Sequence, residues 1–384
     1  MDEKNVILLA DPVLGGEEKN ALCEVIDSGW VTMGERVAAF ERVFANLHGA
    51  ENAVAVSSCT AGLHLCLKAL DIGPGDEVLV PSLTFVATVN AVLYVGATPV
   101  FVDIERKDVP HISLTDAKTK CTHKTKAVIV MHYGGYLVEL KAWRSFADAN
   151  GMVLIEDAAH APGVPGVGRG GDVSAFSFFT NKNMTTAEGG MVLAREPSVL
   201  EKIRKLRSHA MTTGTLDRHR GHAYSYDVTM LGYNYRMDEL RAAIGIVQLK
   251  HLQQWNKRRV ELTDVYRQTV SDHLPQVTIP FELGHQTGAH LMPVLLPSHI
   301  DRENIMNRLY QAGIQTSIHY PPVHCFSYYR GLFPGVKLQN TETFFAQELT
   351  LPLHASLKEN DVEKVVYALR DAVSSQESKH VACS

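Results

Sequence analysis

The chain has 384 residues and an ordinary globular composition, with 45% hydrophobic and 21% charged residues. A chain of this length predicts about two or three domains. Its 37 Lys and Arg residues against 42 Asp and Glu residues give a slightly acidic balance, and no basic block is long enough to follow a phosphate backbone. This charge pattern excludes nucleic acid as an expected partner.

The sequence also lacks the signals of membrane insertion and export. The longest apolar stretch, 91–102, is interrupted by polar and turn-forming residues and is shorter than the roughly 18 residues that a membrane helix needs. The opening MDEKNVILLADP has neither a basic start nor a small-residue cleavage site, so we expect a cytoplasmic location. The 6 cysteines form no CxxC pair, which indicates reduced thiols rather than disulfides or a zinc site.

The first two thirds of the chain alternate between short apolar runs and helical patterns. This alternation is typical of an α/β fold with a mostly parallel sheet and helical crossovers. Two amphipathic helices come first, at 17–28 and 35–48. The predicted strands are 53–56, 77–80, 99–102, 127–131, 152–155 and 173–179, and the predicted helices between them are 60–70, 84–94 and 137–150.

The pattern changes after residue 191. Segment 211–222, MTTGTLDRHRGH, has no apolar periodicity and is predicted to be an exposed loop that could close over a site. A long helix at 236–270 then leads into a smaller α+β region, with a strand at 290–296 and helices at 302–312 and 358–374. The last residues, 375–384, are polar enough to be disordered.

These changes divide the sequence into two expected domains. A large ligand-binding domain with the N-terminal helices covers 1–250, and a small C-terminal domain covers 251–384.

One stretch, GDVSAFSFFTNKNMTTAEGGM at 171–191, places Lys182 in a polar loop between two apolar runs. Both runs have the composition of strands that are buried on both faces. A lone loop lysine is more often a solvated turn residue, because lysine is almost never fully buried without a partner. The residues upstream are needed to decide whether Lys182 is a functional residue or a solvated turn residue.

Asp157 closes the predicted strand MVLIE and begins the turn DAAHAPG. Open parallel sheets bind ligands at the carboxyl ends of their strands, although a lone Asp at such a place is usually a turn former or a helix cap. If 173–179 lies in the same sheet, Asp157 and Lys182 face one crevice.

Three further features have a functional and a structural interpretation. The small residues 57–62, SSCTAG, could seat a phosphate at a helix N-terminus, or could be a plain Ser/Thr cap. Phe85 follows the next strand and could stack on a planar ring, or could be a core residue. His160 lies close to Asp157, where an isolated histidine is more often structural.

Two nucleotide-binding motifs are excluded. Gly166, Gly168 and Gly171 match GxGxxG by spacing, but they follow a long loop and precede a strand, which is the wrong context for a dinucleotide site. No GxxxxGK[ST] motif occurs.

The candidate residues fit another cofactor when they are taken together. A lysine, an aspartate, a phosphate-seating turn and a flat aromatic are the groups that a pyridoxal phosphate site needs.

Five motifs in this order extend the argument from single residues to a family: SSCTAGLH, PSLTFVATVNA, IEDAAHAPG, AFSFFTNKNMTTAEGGM and GYNYRMDELRAAIGIVQL. The series closely resembles the sugar aminotransferases of the DegT/DnrJ/EryC1 group of fold type I pyridoxal phosphate enzymes. The similarity runs from GWVTMGERVAAFE to HYPPVH. It implies an aspartate-aminotransferase-like large domain, a small C-terminal domain and a homodimer with shared active sites.

The resemblance also assigns roles by position. Lys182 would form the Schiff base with pyridoxal 5'-phosphate, and Asp157 would pair with the ring nitrogen. Some members carry histidine at the lysine position and act as dehydratases, so Lys182 favours transamination. The resemblance further implies that Phe85 stacks on the ring and His160 contacts its hydroxyl side, that Thr60, Ala61, Ser177 and the neighbouring subunit's Asn234 hold the phosphate, and that His319 and Tyr320 of IHYPPVH contact substrate.

The expected reaction moves an amino group from glutamate or glutamine to a keto sugar, expected to be nucleotide-linked, and requires no metal. Two alternatives remain open. One is a pyridoxal phosphate-dependent sugar dehydratase or epimerase, and the other is a non-catalytic regulator on the same fold.

Overall fold

The computed structural model of the protein describes residues 6–212 and 227–383. A seven-stranded sheet forms its centre, in the order β1-β9-β8-β7-β6-β2-β3. These strands are β1 (Val54–Val56), β2 (Glu77–Pro81), β3 (Thr98–Val102), β6 (Thr125–Met131), β7 (Val153–Asp157), β8 (Val173–Ser177) and β9 (Gly190–Ala194).

The sheet is mostly parallel, which confirms the predicted α/β fold class. Strands β3, β2, β6, β7 and β8 pair in parallel, whereas β9 runs antiparallel to both β8 and β1. Two shorter antiparallel pairs accompany the sheet: β4 (Ile104–Arg106) with β5 (Val109–Ile112), and β10 (Met292–Leu295) with β11 (Glu348–Leu351).

Alternate residues of the central strands face helices on opposite sides of the sheet. Val78 and Val80 pack in the same core cluster as helices on one face, whereas Leu79 packs in the cluster on the other face. All three are fully buried, and each such side chain contributes about 1.5–3 kcal/mol relative to exposure. Because both faces are covered, these strands read in the sequence as continuous apolar runs.

Helices on both sides of the sheet and around the C-terminal part complete the fold. Their bounds are α1 (Gly16–Ser28), α2 (Glu35–His48), α3 (Cys59–Ala69), α4 (Val86–Tyr94), α5 (Leu114–Lys120), α6 (Leu140–Ala149), α7 (Pro197–Leu206), α8 (Glu239–His273), α9 (Arg302–Gln311), α10 (Ser327–Leu332), α11 (Gln339–Gln347) and α12 (Glu359–Cys383), with short 3₁₀ segments at Tyr133–Gly135 and Val323–Cys325.

The long helix α8 links two separate hydrophobic cores. Its first half contributes Ala242, Leu249 and Leu252 to the core beside the large sheet, and its second half contributes Leu262 and Tyr266 to the C-terminal core. The expected domain boundary at residue 250 falls inside this helix, and the division into 1–250 and 251–384 stays a prediction.

Two segments were expected to be irregular, 375–384 and 211–222. The last helix, α12, continues to Cys383, so the expectation of a disordered tail at 375–384 is wrong for the described part of that segment. Most of the predicted loop 211–222 lies outside the described residues.

Among the helices that the structure does describe, we find none with the length and apolarity required to cross a bilayer.

Candidate active site

A cavity of about 380 Å³ opens where several strands of the large sheet end. Asp157 is the last residue of β7 and Ser177 is the last residue of β8, so parallel pairing brings both to the same edge. Strand β9 is antiparallel, and therefore it begins at that edge, at Gly190. The cavity lies at the carboxyl ends of parallel strands, where such sheets place ligands.

Asp157 is buried at the base of the cavity and is held by short hydrogen bonds. The Thr88 hydroxyl donates to its Oδ2 at 2.6 Å, and the Ala159 amide donates to its Oδ1 at 3.1 Å. Burial raises the pKa of the Asp157 carboxyl, while these hydrogen bonds and the charge of Lys182 oppose that rise. The carboxyl group is therefore fixed in place and lacks a full countercharge.

Lys182 lies in the loop between β8 and β9 and is partly buried, and its backbone amide donates to the Phe179 carbonyl at 2.9 Å. Its amine makes no hydrogen bond or ion pair with other residues in the described part of the chain. Burial lowers the pKa of this amine to about 8, against the opposing charge of Asp157. A lysine with a pKa near neutrality, inside a cavity, is a candidate nucleophile and proton carrier.

The N-terminus of α3 borders the cavity beside these groups. Ser58 is its N-cap and accepts a hydrogen bond from the Ala61 amide at 3.1 Å. The first-turn amides of a helix have no intrahelical partner and favour an anion. Thr60 and Ser177 also line the cavity, so hydroxyl groups stand near this helix end.

Gly190 permits this approach of α3 to β9. A Cβ at position 190 would lie 2.7 Å from the Cys59 nitrogen and 2.7 Å from the Ser58 carbonyl carbon, which real Cβ atoms do not tolerate. Gly190 therefore allows the N-terminus of α3 to lie directly against β9.

Aromatic residues form another wall of the cavity. Phe85 caps α4 and is 57% exposed, and its ring centroid lies 6.1 Å from that of Tyr320. The Tyr320 hydroxyl lies 2.8 Å from Nε2 of His160. This arrangement offers a flat surface next to polar groups.

His160 is held by a chain of buried groups. Its Nδ1 accepts from the Gly134 amide at 3.2 Å, and its ring packs against that of His290 with centroids 4.2 Å apart. His290 in turn lies 2.9 Å from the Asn183 side-chain oxygen. Burial lowers the pKa of His160 well below its usual value, with a further decrease from Lys182. His160 is therefore neutral at physiological pH.

His319 reaches the cavity from the C-terminal part of the chain. Its Nδ1 lies 2.8 Å from Thr350 Oγ1, and its backbone amide donates to Glu348 Oε2 at 3.0 Å. The Tyr133 hydroxyl donates to its carbonyl oxygen. The site therefore draws on both cores of the molecule.

The cavity brings together most of the residues selected from the sequence. Lys182, Asp157, Thr60, Phe85, His160, Ser177, His319 and Tyr320 all line it. Ala61 lies one residue further into α3, with its amide bonded to Ser58. Asn234 is exposed, pairs with Ser208 in an isolated bridge, and is not part of this chain's cavity wall.

Several residues of the site were missed by the sequence reasoning. Thr88 lies one helical turn after Thr84, and that spacing is the signal that could have found it. Asn181 lines the cavity, and its Oδ1 is buried without a hydrogen-bond partner among the described residues. Asn183 flanks the lysine on its other side. Glu348, behind His319, had one weak signal, namely a carboxylate at the start of the short strand ELTL. Nowhere in 6–212 or 227–383 do three or more His, Cys, Asp or Glu residues gather as a metal site would require.

The fold and the cavity define a fold type I enzyme architecture with a lysine and an aspartate at the ends of the strands. The family model of the DegT/DnrJ/EryC1/StrS aminotransferase family matches residues 12–370, and the chain belongs to this family. It is therefore an enzyme of the aminotransferase class, as predicted.

Individual relatives agree with this assignment. The spore coat polysaccharide biosynthesis protein SpsC of Bacillus subtilis (strain 168) is 37% identical over 377 residues, which cover 94% of this chain and 96% of SpsC. Helicobacter pylori PseC, an aminotransferase involved in the biosynthesis of pseudoaminic acid, superposes with a TM-score of 0.90 at 29% identity, covering 96% of this chain and 100% of PseC. NtdA of Bacillus subtilis, solved with bound cofactor PMP, gives a TM-score of 0.84 at 28% identity, covering 96% of this chain and 87% of NtdA.

Proposed function

We propose that this enzyme transfers an amino group from glutamate or glutamine to a nucleotide-linked keto sugar, with pyridoxal phosphate as its cofactor. One observation carries the proposal: Lys182 and Asp157 border the same cavity and influence each other's pKa without forming an ion pair. A flat heterocycle that carries an aldehyde at one end and a basic nitrogen at the other suits the space between them. The similarity to SpsC, a polysaccharide biosynthesis protein, and to PseC, an aminotransferase of pseudoaminic acid biosynthesis, supports a sugar as the acceptor.

The residues of the cavity fit this cofactor. The N-terminus of α3 with Thr60 and Ser177 suits a phosphate, Phe85 suits the face of a ring, and Asp157 suits a protonated ring nitrogen. The unpartnered Oδ1 of Asn181 leaves an acceptor for a ligand donor. NtdA, which binds PMP, the amino form of pyridoxal phosphate, has the same fold and supports this choice.

When bound, pyridoxal phosphate supplies an electron-accepting ring that allows the donor's Cα proton to be removed. Asp157 would keep the ring nitrogen protonated. Lys182 would hold the cofactor and, once released by the amino donor, would carry the proton between carbon atoms. Its pKa of about 8 suits this task, because a fraction of the amine is neutral near pH 7.

We further propose that the active form is a homodimer in which the partner subunit's Asn234 completes the phosphate site. Asn234 is exposed and outside the cavity of its own chain. Phe85 and Phe179 line the cavity while remaining 57% and 44% exposed, so large apolar surface surrounds the opening. Coverage of this surface by a second copy would bury it and exclude water from the site.

The test supplies purified protein with ¹⁵N-labelled glutamate or glutamine and a panel of keto-sugar nucleotides and cyclitol ketones. The proposal expects formation of the labelled amino sugar together with an equal amount of the 2-oxo acid, and no product with Lys182→Ala. Sugar product without consumption of the amino donor would instead identify a dehydratase or epimerase. Binding of sugar nucleotide without turnover would identify a regulator.

A further inference from the structure

A carboxyl group that the proposed reaction does not use lies behind His319. Glu348 begins β11 and is fully buried. The nearby Arg302 does not pair with this carboxyl group, because its guanidinium donates to the main-chain carbonyls of Phe345 and Glu348. A buried carboxyl group without an ion-pair partner is costly, so its position calls for a reason.

Glu348 belongs to a chain of hydrogen bonds that ends at the cavity. Its Oε2 accepts from the His319 backbone amide at 3.0 Å, and its Oε1 lies 2.5 Å from Thr350 Oγ1. The same hydroxyl lies 2.8 Å from Nδ1 of His319. The His319 ring lines the cavity, and its Nε2 makes no hydrogen bond with the other described residues.

When the His319 ring is neutral, two proton arrangements satisfy this chain. If Glu348 is protonated, its O–H donates to Thr350, the Thr350 hydroxyl donates to His319 Nδ1, and the ring carries its proton on Nε2. If Glu348 is ionised, the Thr350 hydroxyl donates to the carboxylate, Nδ1–H donates to Thr350, and Nε2 is left as an acceptor. The bond made by one ring nitrogen thus fixes the state of the other.

The surroundings favour the protonated arrangement at neutral pH. Burial raises the pKa of Glu348 to about 8, and burial lowers the pKa of His319 to about 3, so the imidazole ring stays neutral. The titratable and charged groups that act on this pair come from several elements: Arg302 of α9, Tyr133, Tyr320, Lys182, His160 and His290.

We propose that Glu348 is a positioning residue that sets the tautomer of His319, so that the cavity offers an Nε2–H donor to an acceptor-only oxygen of a substrate while Glu348 is protonated. Ionisation of Glu348 withdraws this donor. The nature of the ligand rests on the proposed function: the oxygen belongs either to the carboxylate of the amino-acid donor or to the carbonyl of the keto sugar. A hydroxyl group is less suited, because it can adapt to either tautomer.

The direct test is a pH titration of the full chain labelled with ¹⁵N-histidine, with the His319 signals assigned through their loss in His319→Asn. The wild type should carry the proton on Nε2 below about pH 8 and on Nδ1 above it. Glu348→Gln should retain Nε2–H throughout, because its amide N–H donates permanently to Thr350. An Nδ1–H tautomer at pH 6–7, or an unchanged transition in Glu348→Gln, would overturn the proposal.

Kinetics identify the substrate that uses this donor. The KM for the amino acid, or the KM for the keto sugar, should rise about tenfold between pH 7 and 9 in the wild type and stay constant in Glu348→Gln. Thr350→Ala breaks the chain and should also remove the pH dependence. Glu363→Gln, an exposed glutamate of α12, is the matched control and should behave as wild type. Two pH-independent KM values in the wild type would contradict the role of His319.

Failure of this proposal can be separated from failure of the proposed function. The tautomer titration needs no substrate, so the transition is measurable even in a chain that transfers no amine. Amine transfer accompanied by a single unchanging His319 tautomer would overturn the positioning role alone.

Discussion

Asp157 illustrates how a single site residue depends on its immediate neighbours. Its carboxyl group is buried and accepts hydrogen bonds from Thr88 and Ala159, and its pKa is raised because burial outweighs these contacts. A cationic ring nitrogen would restore the missing charge. The hydrogen bonds hold the carboxylate in position for that partner.

Asp157→Asn should therefore reduce turnover by about 100-fold or more, because removing one member of a buried charge pair costs about 3–5 kcal/mol. Steady-state kinetics at saturating cofactor would measure the effect. Asp108→Asn, in an exposed pair with Arg106, serves as the matched control and should keep wild-type turnover. Equal turnover of the two variants would exclude the assigned role of Asp157.

The pKa of Lys182 predicts the direction of a pH effect on kcat. Burial lowers this pKa to about 8, and only the neutral amine accepts a proton, so kcat should rise with pH up to about 8 and then level off. This rise of kcat with pH should persist in Glu348→Gln, because that substitution is expected to change the pH dependence of KM and not that of kcat. A kcat that falls between pH 7 and 9 would contradict the assignment of Lys182 as proton acceptor.

The sequence selected residues that the structure places around one cavity, but it did not reveal most of the groups that support them. Lys182, Asp157 and His160 follow apolar runs in recognisable motifs, and local patterns reveal such positions. Glu348 comes close to His319 only through pairing of distant segments, because an isolated bridge joins Ser317 to Thr350. No local pattern reports that contact, so the hydrogen bond between Glu348 and His319 could not be foreseen from the sequence.

At the scale of elements, the close approach of α3 to β9 depends on the absence of a side chain at Gly190. Gly190→Ala should lower the free energy of unfolding by about 1–3 kcal/mol and weaken cofactor binding, since the new Cβ would displace the helix N-terminus. Chemical denaturation and cofactor titration would measure both effects.

Gly331→Ala provides the control for this substitution. Gly331 lies in α10, and a Cβ there would meet nothing within 4 Å, so alanine should leave stability unchanged or increase it by about 0.4–1 kcal/mol. Equal stability losses in the two variants would show that close packing at Gly190 is not the cause.

The glycine-rich stretch before β8 shows why motif spacing alone misleads. Glu156 is fully buried, and its carboxylate accepts from the amides of Gly168, Gly170 and Gly171. Burial alone would raise the pKa of Glu156, but the contacts with His132 and with the amides of Gly168 and Gly171 give a net decrease. The amides of these glycines thus bind a carboxylate of the protein itself, in the loop that precedes β8.

Most strands and helices were predictable, because both faces of the central sheet are covered and its strands read as apolar runs. The hairpin of β4 and β5 was not predicted. Its sequence, IERKDVPHI, is short and polar, and its register shifts between Ile104 and Arg106, so no regular alternation marks the two strands. The antiparallel direction of β9 was also beyond sequence patterns, since strand direction depends on the path of the loop that holds Lys182.

At the scale of the whole molecule, the proposed phosphate site needs two copies of the chain. Each cavity would take Asn234 from the partner subunit. Mixed dimers of Lys182→Ala and Asn234→Ala, each inactive alone, should therefore regain up to about a quarter of wild-type activity, because one of the two sites in each mixed dimer receives both native residues. Subunit exchange is verified with differently tagged chains. Verified exchange without any recovery would contradict sharing of the site.

The most direct measurement of the central claim is the mapping of the cofactor attachment point. Protein saturated with pyridoxal phosphate is treated with borohydride, digested, and sequenced by mass spectrometry. The account predicts a stable phosphopyridoxyl group on the peptide that contains Lys182, and loss of the visible absorption band on reduction. Attachment at another lysine, or none at Lys182 in saturated protein, would contradict the account.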